Sequence, residues 1–204
     1  MRLEIAQSTP TAASIAKLVR GHYDLGEVVH SEFLRRSFNQ VYRLDFEGGR
    51  RVVARLCSDR PRGEPNLQFE AQALDHLARQ GCQVSRCVPT ANGESFIWAP
   101  LPEGERALML FEYLDGEFTG ESEEEVCAFA HGLAGLHAAG ESYSGVASAY
   151  TLDLDYLLLE PLEGFLRAPT MTAALRAQFE GLGQRLYERI KAAGELSRVL
   201  CHGD

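Results

Sequence analysis

The sequence predicts an α+β protein in which antiparallel strands and one helix come first and helices follow. Three observations carry that prediction. The alternating runs QVYRLDF and RVVARLC are joined by Glu47-Gly48-Gly49-Arg50, and a Gly-Gly pair supplies the positive φ angles of a tight hairpin. The nearly continuous apolar run ALMLFEYL, residues 107 to 114, reads as a buried central strand that Asp115-Gly116 breaks. Beyond that break the apolar residues recur at helical rather than strand spacing, which puts a seam near Asp115 to Gly120.

Taken in order, Thr9-Pro10 before Ile15, Leu18 and Val19 predicts an N-cap with proline at the first helical position. The helix covers about 10 to 20 and stops at Gly21. VVHSEFL is the first strand, RRSFN a short loop, and the hairpin described above supplies strands two and three. From Glu64 to Gln80, Leu67, Ala71, Leu74, Leu77 and Ala78 form a helical stripe, with Gly81 as its stop. After the ANG turn come SFIWA, the loop PLPEGE and the central strand. Ser122 and Glu125 have capping-box spacing ahead of Val126, Phe129, Ala130, Leu133 and Leu136, so the acidic run GESEEE is a helix start meeting its dipole. TLDLDYLLLEP predicts a short helix ending near Pro161. Leu175, Phe179, Leu182, Leu186 and Ile190 predict a helix about 30 Å long. The apolar stretch from Leu196 to Cys201 reads as a strand delivering a His-Gly-Asp turn.

At 204 residues, 45% hydrophobic and 24% charged, the chain has the composition of a globular protein with a core of its own. Its 29 acidic against 20 basic residues argue against nucleic-acid and anionic-membrane partners, which require clustered Lys and Arg. The N-terminus lacks a signal-like apolar core and no stretch is long enough to span a bilayer, so a cytoplasmic location is expected. Five cysteines without framework spacing suit reduced thiols. Cys82, Cys87 and His76 are close in sequence, but zinc sites favour tighter paired spacings and a fourth ligand nearby.

Arg55 shares its side of the third strand with Val53 and Cys57, which aims a guanidinium into an apolar layer. Glu70 lies on the apolar stripe of the next helix. Opposite charges on neighbouring elements are the economical way to bury either one. On these two residues alone, a purely structural ion pair or an arginine that snorkels to the surface is the favoured reading.

The order of parts adds to this. SFNQVYRL, RVVARLC, NLQFEAQALDHLARQG, ALMLFEYLDGE, HGLAGLHA and the terminal VLCHGD follow one another across residues 27 to 204. In these stretches the chain resembles the aminoglycoside phosphotransferase and choline kinase superfamily, including the type II homoserine kinase and stress-response kinase branches. The resemblance implies a kinase-like two-lobe fold. Residues 1–115 would be a nucleotide-binding lobe, an antiparallel sheet plus helix behind a leading helix, and 116–204 an incomplete helical lobe truncated at the catalytic loop.

The same resemblance implies site residues. Arg55 takes the place of the strand-three base that contacts the α and β phosphates, held by Glu70, although kinase-like sites often use Lys there. Ser37 and backbone amides of the Arg35 to Asn39 loop would cover the phosphates, since that loop has no glycine, and Asn39 would shape it. Glu112, Tyr113 and Leu114 would be the hinge that meets an adenine edge, with Met109 and Phe111 as apolar walls. His137 matches a recurrent histidine. Asp204 would orient the acceptor hydroxyl and accept its proton, with His202 bracing the loop.

The implied activity is ATP-dependent transfer of the γ-phosphate to a hydroxyl of a small molecule, aminoglycoside, homoserine or choline-like. ATP and Mg²⁺ would serve it, with the metal ligands beyond residue 204 and the chain as given an inactive N-terminal fragment. A noncatalytic kinase-like binding module, an atypical Ser/Thr protein kinase and an unrelated α+β protein are the alternatives.

Overall fold

The computed structural model describes residues 4–58, 64–117, 120–194 and 199–200. It divides into two compact units, 1–147 and 148–204. The expected strand and turn at 196 to 204, with His202 and Asp204, lie outside the described residues apart from Val199 and Leu200.

In the first unit, helix α1 (Ala12–Arg20) precedes β1 (Val28–Arg36), β2 (Gln40–Phe46) and β3 (Arg51–Leu56). Helix α2 (Glu64–Arg79), β4 (Cys87–Val88), β5 (Ile97–Leu101), β6 (Gly104–Glu112) and α3 (Glu123–Gly140) follow. The strands form one antiparallel sheet in the order β1-β2-β3-β6-β4, with β5 also paired to β6. Gly48 and Gly49 turn the β2–β3 hairpin at φ 84° and 85°, as their pairing in the sequence predicts.

Strand alternation sorts the sheet into two faces. Tyr42, Leu44, Phe46, Val52, Ala54, Leu56, Leu108 and Leu110 are buried with Ile15 and Val19 of α1 in the larger core. On the other face Met109 and Phe111 pack with Leu67 and Ala71 of α2. Arg55 belongs to this second face. Gly81, at φ 87°, ends α2, and the Cys82 amide turns back to donate to the Leu77 carbonyl.

Two boundaries differ from the sequence reading. The N-cap of α1 is Thr11, whose hydroxyl accepts from the Ser14 amide, rather than Thr9 with Pro10 in the first turn. Pro10 instead offers its carbonyl to the Tyr42 hydroxyl, so a tertiary contact outranks the local proline signal. The two-residue β4 is too short to leave a periodic pattern and was not foreseen.

The second unit holds a π-helical turn (Asp155–Leu159) that runs straight into α4 (Glu160–Leu166), and then α5 (Ala173–Ala192). Pro161 therefore lies within a continuous helical run rather than ending one. It sits where the π turn passes into α4, and the wider turn before it accommodates its ring and its missing N–H. Among the described residues no helix is long and apolar enough to cross a membrane.

Candidate nucleotide site

Strand β3 presents Val53 and Arg55 to the α2 side, and the register sets Arg55 opposite Val41 on β2 and Met109 on β6. Helix α2 brings Glu70 to the same place. The carboxylate accepts two hydrogen bonds from Arg55, from Nη1 at 2.7 Å and from Nη2 at 2.5 Å. Arg55 Nη2 also reaches the Met109 sulfur at 3.3 Å, and the guanidinium carbon lies 4.7 Å from the centre of the Phe111 ring. Burial works against the charge on Arg55, but the Glu70 hydrogen bonds and charge outweigh it and raise its pKa.

The pair is partly open, with side-chain exposures of 19% for Arg55 and 30% for Glu70. A guanidinium has five N–H donors. Two go to Glu70 and one to sulfur, and the Nε–H is buried with no hydrogen-bond partner among the described residues. That leaves the second Nη1 hydrogen on a guanidinium held in place at an apolar wall.

The β1–β2 loop leads into Val41, the register partner of Arg55 on β2. Ser37 donates its amide to the Asn39 carbonyl, 2.9 Å away, which closes the loop. Asn39 accepts the Ser58 amide at 3.0 Å, tying the loop to the end of β3. Arg36 is held by Thr9 and Gln7 of the N-terminal arm, whereas Arg35 is exposed.

The segment after β6 is also anchored. Glu112 donates its amide to the Arg86 carbonyl and accepts at its own carbonyl from the Ser85 hydroxyl. Tyr113 donates to the Arg51 carbonyl and stacks beneath the Arg51 guanidinium, 4.5 Å from the ring centre. Arg51 in turn donates to Asp115 at 2.5 Å. The Leu114 amide has no partner among the described residues. His137 sits in the last turn of α3, where a histidine suits the negative end of the helix dipole.

Burial pushes the Cys87 thiol up to about 12 and raises that of Cys57, so neither is a thiolate at neutral pH. His76 is engaged with the Ala139 carbonyl, away from any metal role with Cys82 and Cys87. Among the described residues no group of three His, Cys, Asp or Glu side chains is placed to hold a metal ion.

The sequence reading missed a buried charge cluster beside the end of β3. Arg106 alternates with Leu108 and Leu110 on the α1 face, and its side chain is 1% exposed. It donates from Nε to the Cys57 carbonyl at 2.7 Å and lies 3.7 Å from Glu103, which accepts the Ser8 amide and hydroxyl. The signal was present as an arginine at the head of the apolar run 107 to 114, with a glutamate three residues before it.

Burial alone would raise the Glu103 carboxyl, but the Ser8 hydrogen bonds and Arg106 hold it below the usual range. A depressed carboxyl stabilises the fold fully above its unfolded pKa, about 4.3, and the contribution fades as pH falls through the lower folded value. Glu103→Gln should therefore flatten the acid limb of stability. Urea unfolding of both proteins from about pH 6 to pH 3 measures this, and identical limbs would contradict it.

A protein-family model described as APH, phosphotransferase enzyme family, matches residues 32–204. An uncharacterized protein of Deinococcus radiodurans is 34% identical over 196 residues, covering 96% of this chain and 56% of that protein. Another, from Synechocystis, is 27% identical over 157 residues, covering 76% of this chain and 43% of that protein. The chain thus spans about half the length of the curated relatives it matches. Among solved structures, the fold is similar to the amicoumacin kinase hAmiN in complex with AMP-PNP, Ca²⁺ and Ami, with TM-score 0.66, 18% identity, and coverage of 91% of this chain and 55% of that one. It is also similar to a microcompartment-associated aminopropanol kinase, with TM-score 0.62, 18% identity, and coverage of 89% and 58%. An aminoglycoside phosphotransferase from Alicyclobacillus acidocaldarius has TM-score 0.53, 20% identity, and coverage of 94% and 55%.

Proposed function

The chain belongs to the phosphotransferase enzyme family, and from that premise we propose that the protein, at the length of its relatives, transfers the γ-phosphoryl group of ATP to a hydroxyl of a small molecule. The observation that carries the reading is the bidentate Arg55–Glu70 pair beside the Met109 and Phe111 wall. Phosphoryl transfer asks the protein mainly for positioning and charge neutralisation, and a braced cation supplies both. Arg55 would contact the α and β phosphates through the second Nη1 hydrogen, which neither Glu70 nor Met109 uses. The Ser37 hydroxyl would meet the phosphates from the loop that Asn39 holds in shape.

The adenine edge would meet the Leu114 amide and the second lone pair of the Glu112 carbonyl, the groups that the strand neighbours leave over. Tyr113, pinned by Arg51, would fix the course of that segment. In this reading residues 1–115 are the nucleotide lobe and 116–204 the start of a helical lobe. Asp204 would accept the proton of the attacking hydroxyl while His202 braces its loop. Magnesium would neutralise phosphate charge, and the family's ligands for it follow the Asp204 motif, outside these 204 residues. A small hydroxyl-bearing acceptor of the aminoglycoside, homoserine or choline kind is the substrate class proposed.

The 204-residue chain should accordingly bind ATP weakly, gain little from Mg²⁺ and transfer phosphate to no acceptor. Calorimetric titration of ATP with and without Mg²⁺, beside a phosphate-release assay, is the measurement. Strong Mg²⁺-dependent binding by this chain would contradict the assignment of the metal ligands to positions outside it.

A further inference from the structure

Glu70 can brace Arg55 only if α2 is held at one rotation. Its inner face, with Leu67, Glu70 and Ala71, lies on the sheet. The neighbouring stripe, Phe69, Gln72 and His76 at spacings of three and four, meets the end of α3 and the loop after it. His76 Nε2 is 3.0 Å from the Ala139 carbonyl and 3.2 Å from the Ser142 hydroxyl. A carbonyl only accepts, so Nε2 carries the hydrogen in this contact.

The Tyr143 ring stands edge-on to His76 and to Phe69, with centres 5.5 and 5.7 Å apart. Its hydroxyl donates to the Val146 carbonyl at 2.9 Å, while the Val146 amide donates to Gln72 Oε1 at 3.1 Å. The loop closes so tightly that a Cβ at Gly145 would sit 2.5 Å from the Tyr143 hydroxyl and 2.8 Å from Gln72 Oε1. His76 and Gln72 of α2, with the Tyr143 ring against His76 and Phe69, thus tie the helix to the end of α3 and the loop after it, on the side away from the sheet.

We propose that this grip, centred on His76, is a positioning site that sets the rotation of α2 and so the aim of Glu70 at Arg55. The inference rests on the reading of that pair as the nucleotide site. His76 lies six residues beyond Glu70, about 9 Å along a rigid helix, so a roll released at one is felt at the other. The grip ties the loop after α3 to the phosphate end of the nucleotide site.

The test is a double-mutant cycle on ATP affinity in the full-length protein, using His76→Leu, Glu70→Gln and both together. Each single variant should weaken ATP about five- to tenfold, the scale of one ordinary hydrogen bond. The double variant should be no weaker than Glu70→Gln alone. His76→Gln, whose amide can still donate to the Ala139 carbonyl, should stay within about twofold of wild type. Where His76→Leu yields no folded protein, Gln72→Leu carries the same cycle. Effects that multiply, or a His76→Gln variant as weak as His76→Leu, would overturn the positioning role while leaving the nucleotide reading standing. A Glu70→Gln protein with wild-type affinity would overturn both.

Discussion

Asp204→Asn in the full-length protein should lower the chemical step of phosphoryl transfer by roughly 10² to 10⁴-fold, the range of a lost general base. That is about 3 to 5 kcal/mol of barrier. The amide keeps the size and one acceptor oxygen but no longer takes the proton of the attacking hydroxyl. Contacts to adenine and to the α and β phosphates lie on other residues in this reading, so ATP affinity should change little. Single-turnover kinetics beside calorimetry separates the two quantities. Wild-type turnover in the variant would remove Asp204 from the mechanism.

Arg55→Met should cost about 10² to 10³-fold in turnover, as expected when a preorganised donor aimed at developing charge is removed. Glu70→Gln leaves the guanidinium in place but halves its anchorage, and a misplacement on the order of 1 Å costs about 10²-fold. The two residues form one unit, with both carboxylate oxygens engaged by both Nη atoms. Members of a unit do not add, so the double variant should be no worse than Arg55→Met. A kinetic cycle in which the two defects multiply would mean that Glu70 acts elsewhere than on Arg55.

Much of this arrangement was legible in the sequence because strand alternation is a two-state code. Arg55 could only share a side with Val53 and Cys57, and the stripe of Leu67, Ala71 and Leu74 could only turn Glu70 toward the same layer. The Gly48-Gly49 hairpin, the Gly81 stop and the Ser122–Glu125 capping box carry their geometry in adjacent residues, and each is present. What the sequence hid are contacts between distant residues. Nothing near Tyr143 announces that its ring meets Phe69 and His76, and nothing near Ser8 points to Glu103, 95 residues on. The misplaced start of α1 has the same origin, since Pro10 is held by Tyr42 from a different strand. The family resemblance carried the hinge and loop assignments. The geometry refines them by marking which backbone groups neighbours already use, such as the Ser37 and Glu112 amides.

The measurement that bears most directly on the central claim is transfer of radiolabelled γ-phosphate from ATP to a panel of small hydroxyl acceptors. It should use the full-length protein with Mg²⁺ and run wild type beside Arg55→Met. The account predicts a phosphorylated small molecule made by wild type and reduced at least tenfold by the substitution. Transfer that is indifferent to Arg55, or label that appears on no small acceptor while the protein still binds ATP, would contradict it.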